Sequence, residues 1–337
     1  MKRISVDFGS EITKIYMPGC GVVLMEATCI AVEKFLEDGE TNVVVKAYGD
    51  KARALSGRAA ANTFIVNPVS EGKIVQENLA VELLSRFLEK IEISRREARR
   101  TEAVFILPCG VKEEVKEKYR RVADECGIGS VYFTYTPFAA VLGQNITINE
   151  STPMFTLDIG YSLTNIAAVS QDGLITGISV NLGGGNIDVQ IIDDLADRHN
   201  LKIGNLTAEK LKNTVGSLFD DDNKMNVIEG RDVKTGAPAS VAINSSQLSG
   251  AILKYADKIL EYVNKVLTKL PAEVSSAVMH GGIYLSGGLV KLDGFAEYIE
   301  KQLQIPVNVP EEPQLATVIG GGAIISNDRL FEMLTTD

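Results

Sequence analysis

Residues 4–15 read Ile4-Ser5-Val6-Asp7-Phe8-Gly9-Ser10-Glu11-Ile12-Thr13-Lys14-Ile15, and residues 155–166 read Phe155-Thr156-Leu157-Asp158-Ile159-Gly160-Tyr161-Ser162-Leu163-Thr164-Asn165-Ile166. The two stretches match at a constant offset of 151, from residue 4 to residue 155. Each runs apolar, polar, apolar, Asp, apolar, Gly, two variable residues, apolar, Thr, one variable residue, Ile. Alternation of period two on both sides of a glycine turn predicts a β-hairpin in each copy. Asp7 and Asp158 end the first strand, and Gly9 and Gly160 open the turn.

Such a turn suits an anion. Glycine lets backbone N–H groups converge, and oriented amides form an anion-binding concavity. Hydroxyls at Ser10, Thr13, Ser162 and Thr164 add donors. A carboxylate at each strand end suits the water shell of Mg²⁺, which goes with phosphates. Two such hairpins half a chain apart point to a duplicated clamp for one polyphosphate between two domains.

Three further glycine clusters extend the pattern. Gly183-Gly184-Gly185 precedes a helical stripe through Ile187, Ile191, Ile192 and Leu195. Gly287-Gly288 follows the strand candidate Ile283-Tyr284-Leu285, and Gly320-Gly321-Gly322 opens the last apolar segment. Glycines at strand-to-helix junctions present a helix N-terminus and bare backbone to a ligand, so all three clusters are expected to face one.

Composition bounds the rest. The chain has 337 residues, 45% hydrophobic and 23% charged, which predicts about two globular domains. The net charge of −10 argues against a nucleic-acid partner. Four cysteines lack C-x-x-C spacing, and only His199 and His280 accompany them, so no zinc site is expected. Scattered thiols, no signal peptide and no apolar run near ~18 residues predict a protein of the reducing cytoplasm that does not span a membrane.

With these motifs in place, the chain resembles the actin superfamily, and within it the MreB family of bacterial actin homologues. Asp7-Phe8-Gly9-Ser10 looks like the first phosphate loop, Asp158-Ile159-Gly160 like the second, and Leu285-Ser286-Gly287-Gly288 like the adenosine motif. Gly230-Arg231-Asp232-Val233-Lys234-Thr235-Gly236-Ala237-Pro238 and Pro271-Ala272-Glu273 point to MreB more narrowly. The resemblance implies an α/β, actin-like ATPase fold of duplicated ribonuclease H-like domains around a nucleotide cleft. Domain I would comprise 1–140 and 315–337, with a small subdomain at about 30–72. Domain II would comprise 141–314, with a small subdomain at about 181–242. Thr134 to Pro137 would link the two.

The resemblance also implies ATP or ADP with Mg²⁺, and assembly into protofilaments. Such filaments serve cell shape and cell-wall synthesis under the membrane, where cell-wall membrane proteins are the expected partners. Asp7 and Asp158 would organise Mg²⁺ through water. Phosphates would meet Gly9, Ser10, Glu11, Ile12, Thr13 and Lys14 in the first loop, and Gly160, Tyr161, Ser162, Leu163 and Thr164 in the second. Gly184, Gly185, Lys212, Gly287, Gly288 and Leu289 would face the nucleoside.

The departures from the family bear on catalysis. The glutamate that positions attacking water in MreB is replaced by Thr136, before Pro137, and the hydrolytic threonine by Leu163. A hydroxyl has no basicity near neutral pH, so slow or absent hydrolysis is expected, with Thr136 and Thr164 the remaining catalytic candidates. Tyr161 and Leu163 add bulk where backbone would approach phosphate. Lys14 is expected to reach the phosphates, as in actin and the plasmid-segregating actins. Glu11 stands where a small residue is usual, and is expected to face solvent or pair with Lys14, the alternative being that it disfavours nucleotide altogether. At the nucleoside end, Leu289 replaces a third glycine, and Thr214 replaces a ribose-facing glutamate.

Two surface features remain. Ile93-Ser94-Arg95-Arg96-Glu97-Ala98-Arg99-Arg100 is either a solvated helix end or a contact for anionic lipid. Asp220-Asp221-Asp222 reads as a solvated loop. The alternative to a filament is a non-polymerising adaptor on the same fold, binding nucleotide as a structural ligand and recruiting a protein.

Overall fold

The computed structural model describes residues 2–37, 40–146, 152–171, 173–219 and 221–337. The chain forms two compact units, Met1–Thr147 with Leu315–Asp337, and Ile148–Gln314.

Each unit is built on a five-stranded mixed sheet. In the first the order is Ser130–Tyr135, Thr101–Leu107, Lys2–Phe8, Ile12–Met17, Gly21–Ala27. In the second it is Val307–Asn308, Ile283–Ser286, Met154–Ile159, Thr164–Ser170, Gly173–Val180. The pairing sense also agrees: three parallel strands, then two antiparallel hairpin turns. The sequence echo is thus a duplicated sheet.

The hairpins share one register. Asp7 faces Lys14 and Phe8 faces Thr13, while Asp158 faces Asn165 and Ile159 faces Thr164. The strand Met154–Ile159 is buried along its whole length, as expected of a central strand covered by helices on both faces. In the first unit, Phe8, Phe105 and Phe133 surround the ring of Tyr119, with centroids 5.3–6.5 Å away. Edge-on aromatic packing of this kind fixes the strand end that carries Asp7.

Helices supply the rest of each core. Ala80, Leu83, Leu84, Phe87 and Leu88 line the buried face of Glu77–Lys90. Leu248, Ile252, Ile259 and Val263 do so on Ser245–Leu267, which opens with an Asn244/Gln247 capping box. A small sheet, Glu40–Tyr48, Ile30–Glu37 and Thr63–Val66, extends the first unit. Another, Leu201–Lys202, Met225–Asp232 and Pro238–Asn244, extends the second.

Two expectations need correction. Residues 134–137 do not stand between the units: the helix Thr136–Leu142 runs past residue 140 and lies wholly in the first. Gly320-Gly321-Gly322 does not open a helix at a ligand, because it lies inside the helix Ala316–Ser326. There the glycines permit close packing. A Cβ on Gly320 would stand 1.8 Å from the Ala139 carbonyl, and one on Gly321 2.0 Å from Ser5 Oγ. At the C-terminal cap of the neighbouring helix, a Cβ on Gly143 would stand 1.7 Å from the Ala316 carbonyl. This contact holds Thr136–Leu142 within the first unit.

Candidate functional site: two phosphate-type loops

In the first unit the three residues Gly9–Glu11 connect the strands. A Cβ on Gly9 would meet the Ile12 carbonyl at 2.6 Å, which accounts for the glycine. Lys14 Nζ lies 2.7 Å from Asp7 Oδ2, and Thr317 Oγ1 donates to the same oxygen at 3.0 Å. Lys14 therefore neutralises Asp7, and the pairing expected between Lys14 and Glu11 is replaced by another. Glu11 Oε1 lies 3.3 Å from Arg53 Nη2. Ser10 Oγ accepts from the Glu71 N–H at 3.0 Å, and its carbonyl accepts from Asn67 Nδ2 at 2.9 Å. Ile12 is half-buried. Thr13 is fully buried, with its hydroxyl 2.8 Å from that of Thr28. It supports the turn from beneath and offers no hydroxyl to a ligand.

The second loop, Gly160–Leu163, is closed by a bond from the Gly160 N–H to the Leu163 carbonyl at 2.8 Å. Asp158 is buried and accepts from Ser286 Oγ at 2.8 Å and Asn165 Nδ2 at 3.1 Å. Asn165 is in turn set by Ser179 Oγ, which donates to its Oδ1 at 2.6 Å. Thr164 is fully buried, and its hydroxyl donates to the Leu182 carbonyl at 2.8 Å. As in the first loop, the threonine that follows the turn is structural, which removes Thr164 as a catalytic candidate. Tyr161, Ser162 and Leu163 are half-buried.

The helix Gly184–His199 is stitched to this second loop. Gly184 N–H donates to the Gly160 carbonyl at 3.0 Å, and Gly185 N–H to the Tyr161 carbonyl at 2.9 Å. Two of the four N–H groups that a helix start leaves open are thereby engaged by the loop. Beside them the Tyr161 ring packs so closely that a Cβ on Gly185 would fall 2.8 Å from it. The added bulk of Tyr161 thus rests on a glycine. Lys212, expected at the nucleoside, is buried: its Nζ reaches Asp188 Oδ1 at 2.8 Å and donates to the Gly184 carbonyl at 3.0 Å. Thr214 is exposed and donates to the Lys210 carbonyl.

At the adenosine-type motif, Gly287 has φ +94, and a Cβ there would stand 2.1 Å from the Ile159 carbonyl. Only glycine suits both the conformation and the approach. Gly288 is exposed, with open space around a would-be Cβ. Leu289 is buried in the core of the second unit, with its Cδ1 4.0 Å from where a Cβ on Gly184 would stand.

Thr136 is buried at the first position of its helix, where its hydroxyl donates to the Leu107 carbonyl at 3.1 Å. The position holds no base, and its only proton is engaged by backbone.

Among the described residues no group of three His, Cys, Asp or Glu side chains could enclose a metal. Asp7 nevertheless fits a hydrated Mg²⁺. Its Oδ2 is occupied by Lys14 and Thr317, while Oδ1 accepts nothing among the described residues and is available to a metal-bound water. Of the aspartate run, Asp220 lies outside the described residues, and Asp222 pairs with Lys224 at 3.1 Å.

Sequence reasoning placed Ser286 in the adenosine-type motif and missed Thr317, Asn165, Arg53 and Asp188. Asn165 was within reach of it, since it is Lys14 displaced by 151. The others are far apart in sequence from the groups they hold and carry no local signal.

Ser94 and Glu97 form a capping box on the short helix Arg95–Ala98. Arg95, Arg96, Arg99 and Arg100 are all exposed and make no ion pair among the described residues. No described helix is long and apolar enough to cross a membrane.

Comparison with known proteins places these loops in context. The family model of the MreB/Mbl protein matches residues 1–333. The chain is 27% identical over 327 residues to the cell shape-determining protein Mbl of Bacillus subtilis, covering 97% of this chain and 96% of that one. It is 27% identical over 320 residues to the cell shape-determining protein MreB of Escherichia coli, covering 95% and 92%. The fold matches MreB5 of Spiroplasma citri bound to ADP with a TM-score of 0.89 at 25% identity, covering 96% of each chain. The same protein bound to AMPPNP gives 0.90 at 25% identity, covering 98% of each chain. A MamK double helical filament shares the fold at a TM-score of 0.77 and 18% identity, covering 96% and 99%.

Proposed function

The chain belongs to the MreB/Mbl family, and from that premise we propose that it is a cytoskeletal actin homologue of the cytoplasm that binds ATP or ADP with Mg²⁺, assembles into protofilaments and hydrolyses ATP weakly. The observation that carries the reading is the shared hairpin register, which sets Asp7 and Asp158 at matching places before matching glycine turns. The MreB5 structures with ADP and AMPPNP support an adenine nucleotide.

In this reading the Gly9–Ile12 and Gly160–Leu163 turns bind phosphate, Asp7 Oδ1 receives a magnesium-bound water, and Gly288 borders the nucleoside. Magnesium would supply countercharge to the phosphates. Weak turnover follows from Thr136, whose hydroxyl is held by the Leu107 carbonyl, and from Leu163, which has no group to orient water. The exposed Arg95, Arg96, Arg99 and Arg100 would add contact with an anionic membrane, at ~1 kcal/mol for each basic residue near the surface.

Titration with ATP and ADP, with and without Mg²⁺, tests the nucleotide reading. Saturable binding that weakens when Mg²⁺ is chelated supports it, and absence of binding contradicts it. Pelleting with phosphatidylglycerol vesicles but not phosphatidylcholine vesicles, abolished by replacing the four arginines with glutamine, tests the membrane contact.

A further inference from the structure

The first phosphate-type turn carries a negative charge of its own. Glu11 is the last of the three turn residues, and its carboxylate is about four-fifths shielded. Placed beside a polyphosphate, such a carboxylate is a liability, since like charges in a partly shielded site repel strongly. The chain answers it from another element. Arg53, at the end of the short helix Gly49–Arg53, brings Nη2 to 3.3 Å from Glu11 Oε1 and is itself three-quarters shielded.

The rest of the neighbourhood holds this pair in place. The Glu11 carbonyl accepts the Thr28 N–H at 2.8 Å, and the Gly49 N–H donates to the Cys29 carbonyl at 2.9 Å. Asp50, the other acid on the helix, accepts the Ala27 N–H at 3.0 Å. Turn and helix are therefore both tied to residues 27–29. The Cys29 thiol beside them is pushed up to about 11, first by burial and then by the charge of Glu11, with Arg53 opposing.

We infer that Arg53 is a specificity-determining residue of the nucleotide site, cancelling the charge of Glu11 so that the turn accepts a triphosphate. The inference rests on the nucleotide-binding reading above. Arg53 acts through Glu11, and its loss removes a countercharge from the carboxylate carried by the turn. The penalty grows with ligand charge, so ATP suffers more than ADP.

The experiment is calorimetric titration of the full chain with ATP and with ADP, in Mg²⁺ and at two salt concentrations. The variants are Arg53→Ala, Glu11→Ala and the double variant, with urea unfolding as a check on the fold. Arg53→Ala is expected to weaken ATP about tenfold and ADP about threefold. The double variant is expected to return both to within about twofold of the parent. Glu11→Ala removes the carboxylate that Arg53 faces and is expected to tighten ATP about threefold, an effect that higher salt removes.

Equal losses for ATP and ADP in Arg53→Ala, or a double variant as weak as Arg53→Ala, would overturn the inference. Should Arg53→Ala fail to fold, Glu11→Ala decides alone: unchanged ATP affinity contradicts it. A parent protein that binds neither nucleotide overturns the nucleotide reading and this inference with it. Binding with an ATP-to-ADP ratio indifferent to both residues overturns the inference alone.

Discussion

Asn165 donates to Asp158 from the place that Lys14 holds against Asp7. Each stands directly across its hairpin from the aspartate, at 3.1 and 2.7 Å. The duplicated turn is therefore held by a cation in one unit and a neutral amide in the other. The two substitutions should differ accordingly. Lys14→Ala removes the countercharge of Asp7 in the turn proposed to bind phosphate, and is expected to weaken ATP about tenfold in a titration. Asn165→Ala leaves a buried carboxylate one donor short and is expected to lower the unfolding free energy by about 1.5–3 kcal/mol, read from urea curves.

Adjacent glycines of the adenosine-type motif separate folding from binding. Gly287→Ala forces a Cβ to 2.1 Å from the Ile159 carbonyl at φ +94, and is expected to cost about 2–3 kcal/mol of stability. Gly288→Ala points into open space and should stay within about 0.5 kcal/mol, while changing ATP affinity if Gly288 borders the nucleoside. Thermal or urea unfolding of both variants, with titration of the second, checks this.

Lys212 and Asp188 form a buried ion pair beneath the start of the helix Gly184–His199, with side chains 6% and 3% exposed. Breaking one partner leaves the other charge buried, which costs about 3–5 kcal/mol. Lys212→Met is therefore expected to be strongly destabilised, and Lys212→Met with Asp188→Leu to recover most of the loss. A double-mutant cycle in urea measures the coupling.

Hydrolysis should respond to restoring the missing groups. Thr136→Glu with Leu163→Thr supplies a base and a hydroxyl, and is expected to raise phosphate release about tenfold or more. The parent rate, compared in the same assay, is the reference. No gain in a folded double variant would assign the weak turnover to other parts of the site.

The thiols report on the fold around the first turn. Burial pushes Cys29 and Cys126 up to about 11, so at pH 8 only about a thousandth of each is thiolate. Cys109 is buried and Cys20 exposed. A thiol reagent at pH 8 should modify Cys20 quickly and the other three only as the protein unfolds. Rapid loss of Cys29 would mean that the region joining Glu11, Thr28 and Arg53 is open.

The hairpins were legible because their signal is written twice. An offset of 151 in sequence reappears as one register and one strand order in two sheets. Directions of side chains were not legible. Thr13 and Thr164 follow glycine turns as ligand hydroxyls would, yet the strand alternation turns both inward, to Thr28 and Leu182. Gly320-Gly321-Gly322 looks like a ligand loop until its neighbours are known, and these are Ala139, Ser5 and Tyr16. The sequence suggests the nucleoside for Lys212 and solvent or Lys14 for Glu11, whereas their partners Asp188 and Arg53 lie 24 and 42 residues away in the chain. Pairings across such separations are set by packing and leave no periodic trace.

The central claim, a nucleotide-binding filament with weak turnover, is tested most directly by sedimentation and negative-stain microscopy in Mg-ATP, with phosphate release followed in the same tubes. Filaments are expected to form with nucleotide and to persist while little phosphate appears. Filaments with rapid phosphate release would contradict the reading of Thr136 and Leu163. Protein that stays in the supernatant in every nucleotide and salt condition would contradict the filament itself and identify an adaptor on the same fold.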